Sequence, residues 1–103
     1  MRRAKVLMHS VPAGVFEEID RGTAYRFTYQ AGYDGEPISR TMPVRAAPYE
    51  FKGFPAFFDG LLPEGEMLDG LLRQHKIDSK DRFTQLLAVG GEMVGAVTVE
   101  VLQ

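Results

Sequence analysis

The chain has 103 residues, 45% of them apolar and 25% charged, with seven Phe, four Tyr, no Cys and a formal charge of −2. That length suits one domain, spanning 1–103, able to bury somewhat over ~60% of its unfolded surface, and leaves no room for a second catalytic lobe. A disulfide framework, a thiolate nucleophile and cysteine-ligated zinc are excluded, and the charge gives no broad positive field to draw nucleic acid.

Met1-Arg2-Arg3 has the look of a signal-peptide start, but the apolar run after it ends at Met8 and is broken by Lys5, so a first strand is the better reading. No run approaches the ~20 apolar residues of a membrane span. A soluble, cytoplasmic protein is expected.

In chain order, Lys5 to Met8 reads as a short strand and Val11-Pro12-Ala13-Gly14 as a turn. Val15 to Ile19 forms a second strand with Glu17 and Glu18 exposed. Thr23 to Tyr29 is the clearest strand: Tyr25, Phe27 and Tyr29 alternate with Ala24, Arg26 and Thr28, which directs an aromatic face to the core. A loop over Gln30 to Pro37 precedes a strand over Ile38 to Val44, ended or bulged at Pro43, and Pro48 and Gly53 mark another loop.

Phe54, Phe57, Phe58, Leu61 and Leu62 then fall at i, i+3, i+4, i+7 and i+8, one face of a helix opened by Pro55. Gly60 weakens that helix and Pro63 forbids its continuation, so about two turns of aromatic helix should end in a rigid elbow. Glu66 to His75 is a second helix with Met67, Leu68, Leu71 and Leu72 inward. Its acidic start (Glu64, Glu66) and basic end (Arg73, His75, Lys76) match the macrodipole. Asp78 or Ser79 caps a third helix, Lys80 to Val89, with Phe83, Leu86 and Leu87 inward; Gly90-Gly91 stops it. Val94 to Leu102 closes the chain as a strand. The order of elements argues for an α+β fold: a small, mainly antiparallel sheet or partial barrel with two to three short helices.

Catalytic constellations do not assemble from these residues. His9 and His75 are far apart, without the fixed-spacing partner of a metal pair or a triad. Glu17-Glu18, Asp78 and Asp81 read as surface or capping acids. Gly90-Gly91-Glu92-Met93-Val94-Gly95 lacks the Lys-Ser/Thr of a phosphate loop and precedes a strand, so a helix C-cap describes it better. Tyr25, Arg26, Phe27 and Tyr29 have the aromatic-and-basic pattern of a single-strand binder, but any core strand alternates in this way. The elbow stands apart: five large apolar groups, then Met67 and Leu68, are many for a small domain to hide. Both core alone and core plus an exposed partner site fit it.

Phe54-Pro55-Ala56-Phe57-Phe58-Asp59-Gly60-Leu61-Leu62-Pro63-Glu64-Gly65, with Pro43 and Tyr49 before it and Asp81-Arg82-Phe83, Leu86-Leu87, Val89-Gly90-Gly91 and Gly95-Ala96-Val97 after, resembles the N-terminal subdomain of HipA-type serine/threonine kinases over nearly the whole chain. The kinase catalytic loop and metal-binding Asp motif of that family are missing here, so no enzyme activity and no cofactor or metal is expected. A free-standing chain of this kind resembles the HipS antitoxins of tripartite HipBST toxin–antitoxin systems. The resemblance implies an antitoxin that binds and inhibits a HipT-like serine/threonine kinase, with a HipB-like helix-turn-helix protein as a further member of a ternary complex. Pro63, Glu64, Gly65, Glu66 and Met67, with Phe58 and Leu62 beneath, are the expected kinase-binding residues. The alternatives are a non-inhibitory subunit that completes the kinase, and a fragment of a full-length HipA-type kinase.

Overall fold

A computed structural model describes residues 2–92 and 95–102. Among them a five-stranded antiparallel sheet forms from β1 (Arg2–Met8), β2 (Val11–Asp20), β3 (Ala24–Tyr29), β4 (Tyr49–Lys52) and β5 (Val97–Leu102), in the spatial order β4-β3-β2-β1-β5. Three helices, α1 (Ala56–Asp59), α2 (Gly65–His75) and α3 (Arg82–Val89), lie between β4 and β5 in the chain, and a 3₁₀ turn, Gly90–Glu92, follows α3. The expected α+β class and mainly antiparallel sheet are therefore correct. No helix among the described residues is long and apolar enough to cross a membrane.

The first hairpin turns earlier than expected. Met8 pairs with Val11, and the turn is His9-Ser10, both at positive φ (50° and 67°), as a type I′ two-residue loop requires. Val11 to Gly14 belongs to β2 instead. Ala13 is the extra residue of a bulge, since Val6 pairs with Gly14 and Leu7 with Pro12. Gly14 is needed for close approach: a Cβ there would stand 2.4 Å from the Thr28 carbonyl oxygen and 2.8 Å from the Phe27 ring.

The strand expected over Ile38 to Val44 is absent apart from a single bridge, Ser39 to Met42. This segment instead folds over β3, burying Ile38 and Met42. The Tyr29 hydroxyl accepts from the Ile38 amide at 3.0 Å and donates to the Met42 carbonyl. The fourth strand is Tyr49–Lys52, inside the stretch read as loop. Its half-buried Tyr49 and Phe51 alternate with exposed Glu50 and Lys52, but over too few residues to stand out.

Phe16 is the hub of the core. Its ring stacks on Phe58 at 3.9 Å, Phe83 at 5.4 Å and Tyr25 at 5.7 Å between centroids, joining the sheet to α1 and α3. Each such pair contributes about 0.5–1.5 kcal/mol beyond area burial. Tyr25, Phe27 and Tyr29 are all buried, as the alternation of β3 predicts. The opposite face of the sheet carries a row of alternating charge, in which Glu50 faces Arg26, Arg26 faces Glu17 and Glu17 faces Arg3. Opposite charges at facing positions support the pairing and mark this side as the one turned to water.

Glu18 departs from expectation: it is buried at 5% exposure. In the period-2 register of β2 it shares the face of Phe16, which directs it inward. In β5, Val97 and Val99 are buried but Val101 is exposed. The expected strand began at Val94, which lies outside the described residues, as do Met1, Met93 and Gln103. α3 starts two residues later than expected and is capped by Asp81, whose carboxylate accepts from the Thr84 amide. Asp78 holds the turn before it, accepting from the Lys80 amide at 2.9 Å.

Candidate partner-docking site

The elbow is built from its ends inward. Pro55, in extended backbone, supplies the N-cap of α1, which runs for one turn rather than two. Gly60, Leu61 and Leu62 close it through amide bonds to the carbonyls of Ala56, Phe58 and Asp59. Phe58 and Leu62 point into the core, while Phe54, Phe57 and Leu61 pack against it half-buried. Beyond Pro63 the chain is extended at Glu64, and Gly65 takes a φ of +58° before α2 begins. That left-handed value favours glycine and sets the direction in which α2 leaves the body.

α2 does not pack as its stripe predicts. None of its eleven residues is buried. Leu68, Leu71 and Leu72 are half-covered, and Met67, expected to face inward, is 76% exposed. The stripe of Met67, Leu68, Leu71 and Leu72 is wider than the surface offered by the elbow and α3, so its Met67 border extends past the supporting side chains. The helix closes with Lys76 in the left-handed conformation and the Ile77 amide bonded to the Leu72 carbonyl. Glu66 lies in its first turn and Arg73 and His75 in its last, as the macrodipole favours.

The base on which the elbow stands is tightly bonded. Arg82 Nη1 donates to Asp59 Oδ1 at 2.8 Å, linking the end of α1 to the start of α3. Buried Gln85 donates to the Asp78 and Ser79 carbonyls at 3.1 and 3.2 Å, holding the loop between α2 and α3. A shallow groove between the elbow and α3 is lined by Leu62, Pro63, Leu68, Ser79, Arg82 and Gln85.

Behind α3 lies a network that the sequence reading missed. The Arg2 guanidinium donates to both Glu18 oxygens at 2.8 Å, to Asp81 at 3.0 and 3.2 Å and to Thr84 Oγ1 at 2.7 Å, while lying 5.0 Å above the Phe83 ring. Hydrogen bonds from Arg2 hold the Glu18 carboxyl below its ordinary range despite burial. Burial pushes Asp81 up, but bonds from Arg2 and Thr84 outweigh it and leave a net downward shift. The available signal was the register of Glu18 with Phe16; no pattern in the sequence links either residue to Arg2.

Of the seven residues expected to bind a partner, Phe58 and Leu62 lie in the core, Pro63 is half-buried, and Glu64, Gly65, Glu66 and Met67 are exposed together on one ridge. Other motifs are placed elsewhere. His9 is at a hairpin tip, 3.8 Å from Glu36, and His75 is at the end of α2. The aromatics of β3 face the core, so they present no stacking platform. Gly90 lies against β5: a Cβ there would stand 2.1 Å from the Val99 carbonyl oxygen. Among the described residues there is no group of three His, Cys, Asp or Glu side chains that could hold a metal ion.

Comparison with known proteins agrees with this architecture. A solved structure of the N-terminal domain of HipA toxin superimposes with a TM-score of 0.77 at 28% identity, covering 100% of this chain and 94% of that one. An uncharacterized protein of Haemophilus influenzae strain Rd is 31% identical over 100 residues, which are 97% of this chain and 92% of the relative. The family model described as HipA N-terminal domain matches residues 4–100. The chain therefore belongs to the HipA N-terminal domain family.

Proposed function

We propose that this protein is a cytoplasmic antitoxin that binds a HipT-like serine/threonine kinase in trans and suppresses its phosphoryl transfer. Membership of the HipA N-terminal domain family supports a toxin–antitoxin context. The observation that carries the reading is α2, an eleven-residue amphipathic helix with no buried residue, set on an elbow tied to the body by the Arg82–Asp59 ion pair and the Gln85 hydrogen bonds. Met67, 76% exposed at the edge of the α2 stripe, and half-covered Leu68, Leu71 and Leu72 beside it offer apolar surface for a partner. A domain that packs on a kinase within one chain keeps a complementary face when supplied separately, and a bound ridge reaching the kinase cleft would obstruct nucleotide or substrate. A HipB-like helix-turn-helix protein would join the same assembly without this chain touching DNA.

The test is phosphorylation by a purified HipT-like kinase from the same genome, with and without an equimolar amount of this protein, together with co-elution. Co-elution with falling phosphorylation is expected. Co-elution with unchanged or rising phosphorylation would make this chain a completing subunit instead.

A further inference from the structure

The two edges of the sheet differ. At β5 the outer edge is closed, because Gly90 lies against the Val99 carbonyl that a further strand would have to reach. At β4 it is open. The Gly53 amide bonds to the Thr23 carbonyl at 2.7 Å, and bonding alternates along an antiparallel ladder. Tyr49, Phe51 and Gly53 therefore turn their backbone groups to β3, while Glu50 and Lys52 turn theirs away from the sheet. Those outward amides and carbonyls have no backbone partner among the described residues. Both side chains are exposed, and neither joins an ion pair among the described residues. Charge on an edge strand usually prevents it from pairing. Here the two charges are of opposite sign at alternate positions, which makes the strand complementary to itself.

We infer that β4 pairs antiparallel with β4 of a second copy of this chain, across a two-fold axis at Phe51. In that register Glu50 faces Lys52 of the second copy and Lys52 faces its Glu50, and each pair exchanges N–H···O=C bonds in both directions. The neighbouring registers that also match outward groups put Glu50 on Glu50 or Lys52 on Lys52, so charge selects one register of the three. Phe51, half-buried on the helical face of the sheet, meets Phe51 of the second copy at the axis. The row of alternating charge across Arg3, Glu17, Arg26 and Glu50 then continues to Lys52 of the second copy. A four-residue strand makes a contact well below the ~1,000 Å² of a stable interface, so the dimer is weak and forms at high protein concentration. This surface is separate from α2, and the inference does not depend on the kinase reading.

The experiment is sedimentation equilibrium of the full chain from about 10 μM to about 1 mM, with amide hydrogen exchange read by NMR at both ends of that range. A monomer–dimer equilibrium is expected, with exchange of the Glu50 and Lys52 amides slowing as dimer forms. The variants Glu50→Lys and Lys52→Glu each set like charges opposite one another at both symmetric positions, so each alone should dimerise about tenfold more weakly. Mixed in equal amounts, the two variants meet with opposite charges, and dimer should return to near the wild-type level. That rescue separates edge pairing from a weakened β4, which mixing would not repair. A monomer at every concentration, a dimer indifferent to the variants, or a dimer that leaves both amides unprotected overturns the pairing. Protection of those amides only on addition of the HipT-like kinase overturns it as well, and assigns the edge to a strand of the kinase.

Discussion

Arg2 lies at the junction of β1, β2 and α3, where its guanidinium joins two carboxylates that cannot both be left unpaired. Arg2→Ala strands Glu18, at 5% exposure, and Asp81 beside it, so a loss of about 3 kcal/mol is expected in urea or guanidinium unfolding. The same pair dictates the pH dependence. Both carboxyls titrate lower in the folded chain than in the unfolded one, so their contribution is fully present above about pH 5 and is lost as pH falls through the unfolded and then the folded values. The urea midpoint should be level between about pH 5 and 7 and drop steeply below about pH 4. In the Arg2→Ala variant that acid slope should flatten. Gly90 is a second residue on which the fold depends, because its backbone meets the Val99 carbonyl. Gly90→Ala should cost at least about 2 kcal/mol in the same measurement, as forced overpacking does. Little of this was legible in the sequence. Arg2, Glu18 and Asp81 are far apart in the chain, and Gly90 reads as a helix stop whether or not a strand presses on it.

Among the elements, those with a clear period and enough length were legible. β3 shows its alternation over six residues, and the inward residues Phe83 and Leu86 of α3 follow from their spacing. β4 was too short to display a pattern, and the Ile38 to Val44 segment contained strand-forming residues that tertiary packing used as a cover for Tyr29. α2 was legible as a helix but not in its packing, since its period reveals an apolar stripe and not what covers it. Gly70 sits within α2 with open space around its missing Cβ. Gly70→Ala should therefore raise stability by about 0.5–1 kcal/mol, read as a higher denaturation midpoint with increased helicity. Gly65 should behave oppositely. Its surroundings are equally open, but at a φ of +58° an alanine would be strained by about 1–2 kcal/mol and would swing α2 off its path.

For the whole molecule, the division of labour runs from a stacked aromatic core around Phe16, through a bonded base at Asp59, Arg82 and Gln85, to a ridge that contributes little to that core. The elbow was legible as a candidate site because a helical stripe met glycine and proline. That Phe58 and Leu62 support the ridge while Glu64, Glu66 and Met67 form its surface follows from burial, which spacing does not reveal. Phe58→Ala should accordingly cost about 3–5 kcal/mol of stability, whereas Met67→Asp should leave the unfolding midpoint within about 0.5 kcal/mol of the wild type. The most direct measurement is phosphoryl transfer by the purified HipT-like kinase, titrated in parallel with the wild-type chain and with folded Met67→Asp. Stoichiometric inhibition by the wild type, with inhibition by Met67→Asp weakened at least about tenfold, is the predicted result. Full transfer in the presence of excess wild-type chain, or equal inhibition by both proteins, would contradict the assignment of α2 as the inhibitory ridge.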